Sequence, residues 1–220
     1  ASHIKQGSVE VNGRICTKAS FAVDENDNIR IIGEMPKYVG RGGLKLEKAL
    51  SHYRLHLDGS VCIDIGASTG GFTDCMLQNG AVKVYSVDVG TDQLDEKLRN
   101  DPRVVSMEKT DIRNCVGSLP AVDFIGIDVS FISLKLVLPS AYALLKDGGE
   151  CVALIKPQFE AGKSHLSKHG IVRDSKVHKK VCDDISAFAS TLGFERGEVI
   201  SSPITGGDGN TEYLIYLRRL

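Results

Sequence analysis

The stretch Val61-Cys-Ile-Asp-Ile-Gly-Ala-Ser-Thr-Gly-Gly-Phe72 runs from a β-branched strand-like segment through a glycine-rich turn into a helix-like segment. That order suits a loop that cradles a nucleotide-type ligand at the edge of an α/β sheet. Gly66, Gly70 and Gly71 allow positive φ and a side-chain-free approach, so backbone can lie directly against the ligand. Asp88 ends a second strand, about twenty residues on, where a carboxylate can read a ribose diol. Asp111 follows a third strand and could reach an adenine amino group.

The spacing narrows the ligand. A nicotinamide fingerprint reads G-x-G-x-x-G, whereas this loop reads G-x-x-x-G-G, and no Gly-Lys-Ser/Thr marks a P-loop. A glycine loop followed by a strand-two acid and a strand-three acid suits S-adenosyl-L-methionine better than a dinucleotide. The candidate cofactor residues are Asp64, Gly66, Ala67, Ser68, Thr69, Gly70, Gly71, Phe72, Asp88, Asp111 and Asp128. Gly66-Ala-Ser-Thr-Gly70 also fits the G-x-S-x-G elbow of α/β-hydrolases. It follows the first sheet strand rather than several, however, and no histidine lies on a loop after a late strand. His165 and His169 are four apart but lack the Glu of H-E-x-x-H or a cysteine partner, so no metal is expected.

Four charged residues stand at element ends. Asp128 terminates Phe124-Ile-Gly-Ile, and Lys156 terminates Cys151-Val-Ala-Leu-Ile before Pro157. Open α/β folds place ligands at such carboxyl ends. Glu212 opens a last strand that should run the opposite way, so its start faces the same edge, and Lys45 lies on a glycine-flanked helix start. Taken singly, Asp128 and Lys156 also fit a structural ion pair, and Glu212 a charge guarding an edge strand.

The elements that must position these groups can be read from periodicity. Ser8–Val11, the hairpin signal Asn12-Gly13 and Ile29–Ile32 make a small β segment, and Gly33–Pro36 interrupts it as a linker. Leu46, Ala49, Leu50 and Tyr53 recur at helical spacing. Strands are expected at Val61–Ile65, Val82–Val87, Val104–Met107, Phe124–Ile127, Cys151–Ile155, Phe194–Ile200 and Tyr213–Leu217. Helices are expected near Gly71–Asn79, Gln93–Arg99, Leu134–Leu145 and Ser175–Leu192. Only Ser201–Thr211 separates the last two strands, too short for a packed crossover helix, so they should pair antiparallel.

The chain has 220 residues, 42% hydrophobic and 25% charged, with a formal charge of −1. That is ordinary globular composition and gives no global footprint for nucleic acid. The average hides two basic clusters, Lys37 to Arg54 and Lys156 to Lys180. Six scattered cysteines without C-x-x-C read as small buried hydrophobes in a reducing, cytoplasmic setting. No apolar stretch reaches the roughly 18 residues of a membrane span.

At this level of detail five blocks resemble the TlyA/hemolysin-A family, grouped with FtsJ-like 2′-O-ribose RNA methyltransferases. They are Tyr38-Val-Gly-Arg-Gly-Gly-Leu-Lys45, Asp64 to Asp74, Ile127-Asp-Val-Ser-Phe-Ile-Ser-Leu134, Ile155-Lys-Pro-Gln-Phe-Glu160 and Gly207-Asp-Gly-Asn-Thr-Glu-Tyr213. The resemblance implies a Rossmann-like methyltransferase fold, α/β, with a seven-stranded mainly parallel sheet and one antiparallel strand. It implies a Lys-Asp-Lys-Glu tetrad at Lys45, Asp128, Lys156 and Glu212, S-adenosyl-L-methionine as cofactor, and cytidine ribose in ribosomal RNA or ribosomal subunits as target. It also implies that Gly7-Ser-Val-Glu-Val-Asn-Gly13 belongs to the tail of an S4-type RNA-binding domain, whose helical half is not in the chain. Residues 1–33 are accordingly read as a partial S4 segment, 34–40 as a linker and 41–220 as the methyltransferase domain. Gly40 departs from the family, which often has Ser there.

A ribose 2′-hydroxyl is a poor nucleophile near neutral pH and must lose its proton as it attacks. Lys156 is assigned as general base, Lys45 as an orienting or oxyanion-stabilising donor, and Glu212 as a positioning acceptor. Two other readings stay open: a non-catalytic RNA-binding assembly factor and a membrane-active hemolysin.

Overall fold

The computed structural model describes residues 4, 7–32 and 36–220, and the chain divides into two compact units at Lys37/Tyr38. The first is a three-stranded antiparallel sheet in the order β2-β1-β3, with β1 at Val9–Val11, β2 at Arg14–Ile15 and β3 at Ile29–Ile31. Asn12 and Gly13 both take positive φ, 52° and 78°, as the tight hairpin between β1 and β2 requires. Asn12 also accepts from the Asn28 amide through Oδ1, which ties that turn to the strand β3 beside it.

The second unit is a seven-stranded sheet ordered β6-β5-β4-β7-β8-β10-β9. Its strands are β4 (Val61–Ile65), β5 (Lys83–Val87), β6 (Val104–Met107), β7 (Val122–Ile127), β8 (Leu145–Ile155), β9 (Phe194–Ser201) and β10 (Tyr213–Arg219). All pairs from β6 to β8 are parallel, and β10 pairs antiparallel with both β8 and β9. The short connection therefore reverses the chain as expected. Glu212 precedes a strand enclosed by two neighbours, so the edge-guarding reading of this residue is excluded.

Alternation along the strands sorts side chains to two faces. Cys62, Phe124, Val152, Leu154 and Leu214 pack with helices α1 (Gly42–Tyr53) and α2 (Gly71–Gln78). Ile63, Ile125, Cys151, Ala153 and Ile215 pack with α4 (Leu134–Leu144) and α6 (Ser175–Thr191). Asp174 caps α6 by accepting from the Lys176 amide, and Gly193 leaves it at φ 98°.

The differences from the sequence reading are local. The helix expected from Gln93 shrinks to α3, Glu96–Arg99, because Glu108 captures the amides of Asp92, Gln93 and Leu94 and holds them in a loop. Strand β8 begins six residues early, at Leu145 directly after α4, with a register irregularity opposite Val122 and Phe124. A short helix α5 at Pro157–Glu160 follows Lys156 and has no periodic signal of its own. Part of the expected linker, Gly33–Met35, lies outside the described residues. Its last residues belong to the second unit: Tyr38 is 4% exposed, and the Val39 amide donates to Asp74 Oδ2 at 2.9 Å.

Gly126 on β7 sets how closely α2 approaches the sheet. A Cβ there would lie 2.6 Å from Met76 Cε and 2.8 Å from Phe72 Cδ2. Gly126→Ala should destabilise the fold by about 1–3 kcal/mol through overpacking. Gly207→Ala, which meets nothing within 4 Å, should stay within about 1 kcal/mol of the parent in urea denaturation.

Candidate active site

Strand β4 ends at Ile65, and the chain turns through Gly66 and Ala67, whose amides both donate to the Val87 carbonyl, before Gly71 opens α2. Gly66 has φ 84°, and a Cβ on it would lie 2.5 Å from the Asp128 carbonyl oxygen. No other residue fits that contact without moving backbone. Gly70, at φ 96°, has a bare Cα that admits Leu98 Cδ1, which a Cβ would approach to 2.2 Å. That contact seats α3 against the loop.

Two adjoining cavities meet at this loop. One, about 490 Å³, is lined by Gly66, Ser68, Asp88, Gly90, Gln93, Asp111, Arg113, Asp128, Ser130 and Phe131, among others. The other, about 250 Å³, is lined by Arg41, Lys45, Asp64, Gly66, Ala67, Ser68, Thr69, Gly71, Phe72, Asp128, Ser130, Lys156 and the loop Ile204–Gly207. Gly66, Ser68, Asp128 and Ser130 are common to both and form their shared wall.

The carboxylates expected to hold a cofactor differ in how free they are. Asp88 receives the Ser68 amide on Oδ2 at 2.8 Å and the Gly90 amide on Oδ1 at 2.7 Å, which fixes it at the end of β5. Asp111 lines the same cavity, but the Arg113 guanidinium holds both its oxygens, at 3.0 and 2.6 Å, and keeps its carboxyl below the usual range. Reading of an adenine by Asp111 would have to share it with Arg113. Asp64 is fully buried; its Oδ2 accepts from the Thr73 amide and hydroxyl, while Oδ1 has no partner among the described residues. Burial pushes its carboxyl up to about 7, against the Thr73 hydrogen bonds that pull it down. An unpartnered buried oxygen beside a cavity is a place for a cationic or N–H donor.

Lys45, Asp128, Lys156 and Glu212 come together. Lys45 Nζ lies 2.7 Å from Glu212 Oε2 and 3.4 Å from Asp128 Oδ2, and Lys156 Nζ lies 2.6 Å from Asp128 Oδ1. Two ammonium groups thus alternate with two carboxylates, and Lys45, Lys156 and Glu212 are buried. Adjacent strand ends supply Asp128 and Lys156, the reversed β10 supplies Glu212, and α1 supplies Lys45. Sequence reasoning missed Ser130, whose hydroxyl accepts from Lys156 Nζ at 2.9 Å. It also missed Arg41, which donates to the Thr205 carbonyl at 3.3 Å, and the loop carrying that carbonyl. The Phe131 side chain, 90% exposed, packs on Phe159, with its backbone at φ 64°. None of these has a periodic or charge-pair signal in the sequence.

A methyl-transfer fold with a glycine loop and a lysine-carboxylate cluster defines the class, and comparison with known proteins names it. Residues 38–219 match the FtsJ-like methyltransferase family and residues 4–29 match the S4 domain, and the chain belongs to the FtsJ-like methyltransferase family. It is 48% identical over 219 residues to YqxC of Bacillus subtilis, provisionally named an rRNA methyltransferase, covering 97% of this chain and 77% of that one. It is 37% identical over 221 residues to the 16S/23S rRNA (cytidine-2′-O)-methyltransferase TlyA of Mycobacterium tuberculosis, covering 99% and 82%. A solved protein from Streptococcus thermophilus, provisionally named a hemolysin, superposes with TM-score 0.85 at 48% identity, covering 99% of this chain and 81% of that one.

Removing one cation from the cluster leaves buried anions unbalanced. Lys45→Met should destabilise the protein by about 3–5 kcal/mol in urea denaturation, and pairing it with Glu212→Leu should recover most of that loss.

Proposed function

We propose that this chain is an S-adenosylmethionine-dependent methyltransferase that modifies a ribose 2′-hydroxyl of ribosomal RNA, at cytidine, in the cytoplasm. The observation that carries the reading is the alternating Lys45–Glu212 and Lys156–Asp128 cluster beside a cavity whose wall is the glycine loop. Sugar hydroxyls need their proton removed during attack, which a carboxylate-held amine pair can do. The S4 match and the rRNA methyltransferase relatives support RNA as the substrate class.

The site fits the cofactor on three counts. Asp64 Oδ1 offers an unpaired acceptor to the amino group of a methionine moiety, and the bare Gly66 backbone leaves room beside Asp128. Asp88, anchored by two amides, has lone pairs left for a ribose diol. When bound, the cofactor supplies an electrophilic methyl group on a sulfonium. The chain's own residues supply the rest: Lys156 Nζ, as the neutral amine, would take the proton that the 2′-hydroxyl loses as its oxygen attacks. Lys156 Nζ donates to Ser130 Oγ at 2.9 Å and stands 2.6 Å from Asp128 Oδ1, and these two contacts fix where its nitrogen meets the hydroxyl. Lys45, held by Glu212 and Asp128, stabilises charge developing on the oxygen. Pre-positioning by these fixed partners accounts for much of the acceleration.

Nothing in the geometry favours lysis of membranes. Among the described residues no helix is long and apolar enough to cross a membrane, and the apolar stripe of α6, Val181, Ile185 and Ala189, is buried in the core.

Lys156→Ala should lower methyl transfer to isolated ribosomal subunits by at least about a hundredfold. Calorimetric binding of S-adenosylmethionine should stay near the parent, and retained turnover would remove Lys156 from the base role. Asp64 gives a pH signature. Its raised folded value means that the carboxyl keeps its proton up to about pH 7, and its contribution to stability is lost as pH rises through that point. A cationic amine displaces the proton, so cofactor affinity should rise with pH and level off above about 7, changing by up to roughly tenfold per unit below it. Asp64→Asn should flatten that profile in calorimetry; an unchanged slope would assign it to another group.

A further inference from the structure

The cations between Lys156 and Lys180 look alike in sequence, but the structure divides them. On α6, Lys179 pairs with Asp183 at 2.5 Å and Lys180 with Asp184 at 2.8 Å. Lys163, Lys168, Arg173 and Lys176 are exposed and have no acidic partner among the described residues. The acids nearest them in sequence are engaged elsewhere. Glu160 accepts from the Ser133 hydroxyl and the Leu134 amide, and Asp174 caps α6.

Exposed cations alone make no site; their mounting is what distinguishes these. The segment 161–173 leaves the sheet through α5, directly after Lys156. Its other end is fastened beside Glu212. Asn210, 2% exposed, donates from Nδ2 to the Gly170 carbonyl at 3.2 Å and accepts from the Val172 amide on Oδ1 at 3.3 Å. His178 Nε2 donates to the Val172 carbonyl at 2.8 Å. Between these ends, Ser167 closes a turn by donating its amide to the Ile171 carbonyl at 2.9 Å and accepting the Ile171 amide on its hydroxyl at 3.1 Å. Lys168 and His169 sit at the tip of that turn. Both roots of a positively charged arm are thus bonded to the elements that carry two members of the tetrad.

We propose that the arm 161–173 grips the phosphate backbone of the RNA substrate next to the acceptor ribose, positioning it through charge. The proposal rests on the RNA reading of the active site. Each phosphate neutralised releases condensed counterions and steepens the salt dependence of binding, whichever base is nearby.

The test compares Lys163→Ala/Lys168→Ala/Arg173→Ala with Lys179→Ala/Lys180→Ala, whose lysines come from the same basic run but are already compensated. Binding of the full chain to isolated 30S and 50S subunits is measured over a range of KCl, with S-adenosylmethionine calorimetry in parallel. The arm variant should bind a subunit at least about tenfold more weakly near 0.1 M salt, with a salt slope shallower by about two, and should keep its cofactor affinity. The helix variant should change by less than about threefold. Parent-like binding or an unchanged slope in the arm variant overturns the proposal, as does an equal loss in the helix variant. Failure of protein-free ribosomal RNA to compete for the arm-dependent binding would mark a protein partner and overturn it too. If the parent chain binds neither subunit, the RNA reading falls with it; if the parent binds and the arm variant is unaffected, only the arm assignment falls.

Discussion

Asp128 is the residue on which the rest of the site depends. Its amide donates to the Ile65 carbonyl at 2.9 Å, its own carbonyl presses on Gly66, and its two carboxylate oxygens face Lys45 and Lys156. One residue thereby links the glycine turn to the lysine cluster, so the two cavities cannot shift relative to each other without breaking backbone contacts. This arrangement tolerates little change. A carboxylate only 17% exposed between two ammonium groups is favourable only while both remain, and the backbone approach at Gly66 leaves no space for a side chain.

Much of this was legible in the sequence because it is written in strand ends. Apolar runs that stop abruptly at Asp88, Asp128 and Lys156 report which residues leave the sheet at its carboxyl edge. The short final connection gave the direction of β10. What periodicity could not show were contacts between residues with no pattern of their own. Ser130 is one hydroxyl in Val-Ser-Phe until the fold sets it 2.9 Å from Lys156. The helix expected at Gln93 lost its first turn to Glu108, fourteen or more residues away, a tertiary competitor that local propensity cannot register. Asp111 was recognised as an acid at a strand end, but its pairing with Arg113 two residues later changes what it can offer.

Charge at this edge is arranged on two scales. Inside, cations and anions alternate at 2.6 to 3.4 Å with low exposure, where unbalanced charge is costly. Outside, the Lys163, Lys168, Arg173 and Lys176 cations are exposed without an acidic partner among the described residues, where their field reaches outward at little cost to the fold. The net formal charge of −1 conceals both arrangements because it averages over position.

The reversed direction of β10 is what completes the cluster. It pairs antiparallel with β8 over Tyr213↔Ile155 through Arg218↔Glu150, so Glu212 enters at the edge where β8 exits at Lys156. Had this seven-residue strand run parallel to β8, Glu212 would lie at the far edge, about 20 Å from Lys45. Lys45 would then lack its 2.7 Å partner and share Asp128 with Lys156, two ammonium groups on one carboxylate in a poorly exposed site. The strand that departs from the parallel pattern is therefore the one that balances the charge on which the proposed chemistry rests.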